Sequence, residues 1–181
     1  MQFVYPIKDL EKIKQLKEYF REKNERDYIL FLFGIYSGLR ISDILALRVS
    51  DVRNKDRIYL REIKTGKSKS LPLAKYLQKE LNCYLKSRTN EWLFPSRKGG
   101  GKPITRQMAY YVLNRGAKAV GIQDPIGTHT LRKTFAYWAY KHGTSLELIQ
   151  KILNHSSPSV TLRYIGITQE QIDDVYRKMK F

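Results

Sequence analysis

RIYLREIKTGKSKSLPL, residues 57–73, is the stretch on which the fold turns. Arg57-Ile58-Tyr59-Leu60-Arg61 is strand-like. Lys64-Thr65-Gly66-Lys67 has turn chemistry, and Ser68 to Leu73 resumes an extended pattern. The stretch predicts a hairpin in a small antiparallel sheet of two or three strands. On both sides the period lengthens to three and four. Upstream, Pro6–Lys23 spaces Ile7, Leu10, Ile13 and Leu16 as an amphipathic helix, and Asp27–Ser37 reads as a mostly buried helix stopped by Gly38. Ser42 is expected to cap a short third helix, and Asp51–Asp56 reads as turn. Downstream, helices are expected over Ala74–Arg88, Thr105–Val120, Thr130–His142, Ser145–Leu153, around Tyr164 and over Gln169–Met179. Trp92-Leu93-Phe94-Pro95 is a short extended piece, and Lys98–Lys102 a basic glycine loop within one domain. The fold class is α+β, mostly α-helical.

The chain has 181 residues, of which 42% are hydrophobic and 12% aromatic, enough for one domain with a real core. A lone cysteine, Cys83, excludes an intramolecular disulfide and a cysteine-built zinc site. Thirty-four basic against seventeen acidic residues leave a net charge of +17, self-repulsion that a polyanionic partner would relieve. The longest apolar run, YILFLFGIY at 28–36, is far short of the ~20 residues that cross a bilayer. No leader is visible at the start, and the basic residues form no single amphipathic helix. A cytoplasmic protein without membrane contact is expected.

Three polar stretches invite chemistry. In GLRISDIL, residues 38–45, Arg40 follows an apolar helix and can either offer its donor fork to a phosphate or pair with Asp43 as a capping ion pair. In THTLRKTF, residues 128–135, His129 and Arg132 stand three apart and share a helix face. That pair suits binding a phosphate and moving a proton, or else a cap beside an exposed arginine. In LNHSSPSVTLRY, residues 153–164, His155 follows a helix and Tyr164 lies beyond a proline-marked turn. A phenol attacks well only where cations and hydrogen bonds favour the phenolate, and thirteen tyrosines make packing the competing explanation.

Arginine, hairpin lysine, His-x-x-Arg, histidine and tyrosine, in this order, resemble the tyrosine site-specific recombinases, the family of phage integrases and chromosome-dimer resolvases. The matches are GLRISDIL, KTGK, THTLRKTFA and ILNHSSPSVTLRYI, and the likeness runs from about Asp27 to Tyr164. The resemblance implies an integrase-type catalytic domain of the DNA breaking-rejoining fold over residues 1–181. It also implies transesterification without metal or other cofactor, through a 3′-phosphotyrosine intermediate. Tyr164 would be the nucleophile, Arg40 and Arg132 the clamp on the non-bridging oxygens, and Lys64 the acid that protonates the leaving 5′-oxygen. His129 would serve as acid/base toward the tyrosine, His155 would donate to the phosphate, and Asp43 would orient the arginine. Lys67 and Lys69 compete with Lys64 for its role. Double-stranded DNA, a tetramer of recombining subunits and an accessory DNA-bending protein are the implied partners, and the nucleoid the implied place of action. Residues 168–181 would be a subunit-exchange helix. Two departures stand out: Asn154 replaces the usual glycine before the histidine, and the family's N-terminal clamp domain is absent from the residues ahead of the first box. The chain is then either a short recombinase, like those of fimbrial switches, or a catalytic fragment. A non-catalytic DNA-binding module and a type IB topoisomerase are the alternatives.

Overall fold

The computed structural model describes residues 4–86, 88–97, 101–167, 173 and 176–179. Leu10–Lys23 (α1) begins at Asp9, whose carboxylate caps the amides of Glu11 and Lys12, so the first helix starts later than its apolar spacing suggests. Asn24 ends α1 and caps Glu25–Ser37 (α2). Tyr28 through Gly34 are buried without a break, which makes α2 the central rod of the core. It ends at Gly38 in the left-handed conformation, φ 62°, which turns the chain sharply into Arg40. Arg40 itself, not Ser42, occupies the N-cap position of Ile41–Leu45 (α3), and it makes no side-chain cap. A four-residue helix, Val49–Val52 (α4), lies partly where only a turn was expected.

The expected hairpin forms. Arg57–Arg61 (β1) and Ser68–Pro72 (β2) pair antiparallel, with Ile58 opposite Leu71 and Leu60 opposite Lys69. Glu62 and Lys67 close the turn through a 2.9 Å amide–carbonyl bond. The Trp92–Pro95 piece adds no third strand among the described residues; it makes isolated bridges, Arg48 to Trp92 and Pro95 to Pro103. Lys75–Leu85 (α5) and Arg106–Ala119 (α6) complete the larger core, which takes in Phe20, Phe31, Phe33, Leu77, Leu81, Phe94 and Leu113.

Thr128–Lys141 (α7), Leu146–Leu153 (α8) and Pro158–Ile165 (α9) close a second, smaller cluster around Ala136, Ile149, Leu153 and Ile165. The two clusters meet on α7, which buries Leu131 in the larger and Ala136 in the smaller. Gly34 lets α2 and α7 touch: a Cβ there would fall 2.7 Å from Leu131 Cβ. The polar face of α7 lies along the seam. Among the described residues no helix is long and apolar enough to cross a membrane. The exchange helix expected over 168–181 lies largely outside the described residues.

Candidate active site at the seam of the two clusters

Arg132 projects from α7 and is 1% exposed, the largest fully buried side chain among the described residues. A guanidinium in that position requires fixed acceptors, and it has two. Nη1 donates to the Gly38 carbonyl at 2.7 Å, and Nη2 donates to the Leu153 carbonyl. The left-handed turn before Arg40 and the end of α8 are thus both tied to α7. Burial, then the neighbouring Arg40, lowers the Arg132 pKa to about 10, which leaves it cationic at neutral pH.

Arg40 reaches the same space from the start of α3. Its Nη1 forms a 2.8 Å ion pair with Oε2 of Glu62, whose side chain is fully buried. The angle of that contact leaves Nη1 without an aligned hydrogen bond. The carboxylate that meets Arg40 is therefore Glu62; Asp43, also buried, accepts the Ile63 amide at 2.9 Å and anchors the hairpin.

Tyr164 lies on α9 with its hydroxyl 3.2 Å from His129 Nδ1. The Tyr164 ring is edge-on to His155 at 4.5 Å between centroids, and Lys133 Nζ stands 5.4 Å from its centre. His155 Nδ1 meets Thr161 Oγ1 at 3.0 Å, while its Nε2 is buried and unpartnered. Burial, then Arg132, Arg40 and Lys69, pushes the His155 pKa down to about 4. Burial, then Arg106 and Arg132, lowers that of His129. Both imidazoles are neutral at physiological pH. A neutral His129 that accepts at Nδ1 from the phenol carries its own proton on Nε2.

The hairpin lysines divide by register. Lys64 sits exposed in the turn, within electrostatic range of His129. Lys67 reaches Asn154 Oδ1 at 3.3 Å. Lys69, on the inner face of β2, is partly buried and donates to the Ile152 carbonyl at 2.5 Å. Burial first, then Arg132, lowers its pKa to about 8. Asn154 is left-handed, φ 54°, a conformation asparagine tolerates well, so loss of the glycine leaves the turn intact.

Five buried side-chain nitrogen and oxygen atoms among the described residues lack a hydrogen-bond partner, and all five lie here. Three are nitrogens, Arg40 Nη1, Arg132 Nε and His155 Nε2; two are oxygens, Asp43 Oδ2 and Glu62 Oε1. Buried polar atoms are nearly always paired, so orphans collected in one place mark a site for a ligand. Cationic and neutral donors at the three nitrogens suit an anion with several oxygens.

A model of the phage integrase family matches residues 7–171. The chain belongs to that family. The chain is similar to the probable integrase/recombinase YoeC of Bacillus subtilis, 48% identical, with 98% of this chain and 97% of YoeC covered. The tyrosine recombinase XerA of Thermococcus kodakarensis is 29% identical over 94% of this chain, but only 61% of XerA is spanned. Among solved structures, a XerA recombinase crystal structure matches all of this chain and 67% of its own, with a TM-score of 0.79 and 25% identity. A lambda integrase(75-356) dimer bound to a COC' core site shares the fold, with a TM-score of 0.74 and 18% identity, over 91% of this chain and 60% of that one. The protein is a tyrosine recombinase with the mostly helical catalytic fold of that family.

All six residues expected in the chemistry are brought to one region except that Lys64 stands at its rim. Glu62 was missed, although the sequence holds a signal: Ile58 and Leu60 face inward on β1, and Glu62, one residue past its end, continues that side. The same parity turns Lys69 inward with Leu71. Thr161 and Lys133 carried no comparable mark.

Proposed function

We propose that this recombinase cuts and rejoins duplex DNA at specific sites through Tyr164, by transesterification that conserves the phosphodiester bond energy. The observation that carries the reading is the Tyr164 hydroxyl at 3.2 Å from His129 Nδ1, beside the three orphaned nitrogens. Tyr164 attacks the phosphorus; its proton passes to His129 Nδ1. Charge that builds on the non-bridging oxygens is met by Arg40, Arg132 and His155 Nε2, donors held in place before the substrate arrives. The 5′-oxygen leaves with a proton from the hairpin, assigned to Lys64 as the lysine that precedes Thr65-Gly66, and the 3′-phosphate stays on the tyrosine. Religation runs the same steps backwards with a new 5′-hydroxyl as attacking group. Asp43 supports the reaction through the hairpin it anchors.

DNA is the partner that the +17 charge favours. Recombination joins two duplexes, so four subunits with one tyrosine each would assemble on them, with residues 168–181 supplying the contact between neighbours and a bending protein assisting where the sites require it. Such an enzyme acts at the nucleoid.

The test is covalent trapping. Wild-type protein and Tyr164→Phe are mixed with nicked or fragmented host DNA, denatured in detergent and examined for protein-linked DNA. Linkage with the wild type alone is expected, and sequencing the trapped ends gives the site. Linkage that persists in Tyr164→Phe overturns the assignment.

A further inference from the structure

We propose that Glu62 is a positioning residue for strand cleavage, a buried carboxylate whose single oxygen ties Arg40, the lysine hairpin and the His155 turn into one frame. The inference rests on the reaction read above, since the groups it aligns are those assigned to the phosphate.

Three contacts converge on Oε2. Thr65 Oγ1 donates at 2.7 Å from the turn that carries Lys64; Asn154 Nδ2 donates at 2.9 Å from the residue before His155; Arg40 Nη1 pairs at 2.8 Å. The partners come from three separate segments, and Asn154 lies 92 residues away in sequence. The other oxygen, Oε1, has no hydrogen-bond partner and faces Lys69 Nζ at 3.9 Å. Burial opposes ionisation of this carboxyl, but the bonds from Thr65 and Asn154 and the charge of Arg40 outweigh it, bringing the pKa to about 2. Glu62 is thus an anion at any working pH, paired with Arg40 and faced by Lys69. Asn154 acquires a purpose here: the glycine usual at this position has no side-chain amide to reach Glu62.

Because all three partners use Oε2, glutamine can keep the frame with its carbonyl oxygen, and its amide nitrogen would take the place of Oε1. Alanine cannot. A misplacement of about 1 Å at reacting groups can cost on the order of 100-fold in rate, so Glu62→Ala is expected to lower the cleavage rate constant by about that much. DNA affinity, which comes from the basic surface, should hold or tighten as a negative charge is lost. Glu62→Gln should cleave within a few-fold of wild type, a rescue that a bulk packing role does not require.

The experiment has two arms. Single-turnover cleavage is measured at saturating protein on the duplex sequenced from trapped ends, beside an affinity titration and a thermal melt for each variant. Asn154→Gly joins the set because it keeps the left-handed turn, removes the bond to Glu62 together with the exposed one from Lys67, and spares the core. It should slow cleavage at unchanged affinity. Without DNA, amide hydrogen exchange of residues 62–67 and 154–155 should accelerate together in Glu62→Ala, and more weakly in Asn154→Gly. Normal cleavage by folded Glu62→Ala, or losses confined to affinity or melting, overturns the proposal. So does unaltered exchange in both segments, a result that stands even if Tyr164 fails the trapping test.

Discussion

Gly34→Ala sets a local gain against a tertiary loss, and the structure says which is larger. Alanine in a helix interior is favoured over glycine by roughly 0.5–1 kcal/mol. At Gly34, however, the new methyl carbon would lie 2.3 Å from Leu131 Cδ1 and 2.7 Å from Leu131 Cβ. Carbon atoms rest about 3.5–4.0 Å apart. Rotating Leu131 relieves the first contact but not the second, whose atom is fixed to the backbone of α7. The helices must part by about 1 Å. Overpacking of this kind costs about 1–3 kcal/mol, so the net loss spans about 0–2.5 kcal/mol and centres a little above 1 kcal/mol, or roughly 3–4 °C in Tm for a chain of this size. Leu131 stands between His129 and Arg132, and a shift of α7 moves both. Cleavage should fall about 100-fold, more than the stability loss alone would produce in a protein still folded at 25 °C. Melting and trapping assays on one preparation check both halves. Leu131→Ala should couple with Gly34→Ala, the double variant being less destabilised than the sum of the singles. A Tm equal to or above wild type would refute the reasoning, showing that α2 and α7 have slack at their closest approach.

Other outcomes follow from the charges and the hairpin. His155, with a pKa near 4 in the fold against about 6.5 unfolded, contributes stability that is complete above pH 6.5 and disappears as the pH falls toward 4. The difference is worth up to about 3 kcal/mol; urea midpoints at pH 7.5 and 4.5 should draw together in His155→Gln, and an unchanged pH slope would assign the acid sensitivity elsewhere. A DNA substrate with sulfur at the bridging 5′ position has a leaving group that needs no proton. It should restore cleavage to Lys64→Ala, whereas rescue of Lys69→Ala alone would transfer the acid to the inner strand. If on the order of six phosphates are contacted, log affinity should fall with log salt at a slope near −5. Lys102→Ala should then weaken binding and reduce the slope without altering sequence preference, as a footprint at several salt concentrations would show.

What could be read in the linear sequence follows from the range of each force. The hairpin was legible because strand period and turn chemistry act over a few residues, and the left-handed Asn154 because its tolerance is intrinsic. Helix starts were less so. Ser42 has a capping side chain, yet the chain leaves Gly38 so sharply that α3 begins at Ile41 and Ser42 falls inside it. Val49–Val52 hides among turn formers because Asp51 bonds back to the Arg48 amide at 2.8 Å, a local bond that serves a turn and a short helix equally. The site residues were legible by type and order, but not their partners. Arg132 meets Gly38 across 94 positions, and no pattern of three or four residues reports that. The pairing of Arg40 with Glu62 required knowing that β1 buries its even-numbered side. Glu62, the residue after β1, continues that side and brings a buried carboxylate among the cations. Glu62 pairs with Arg40 and faces Lys69, while Arg132 is held by the Gly38 and Leu153 carbonyls, so each cation crowded into this region is tethered by its own acceptor. Binding DNA should then stabilise the fold, because Arg132 Nε and His155 Nε2, which have no hydrogen-bond partner in the free protein, would gain oxygen partners.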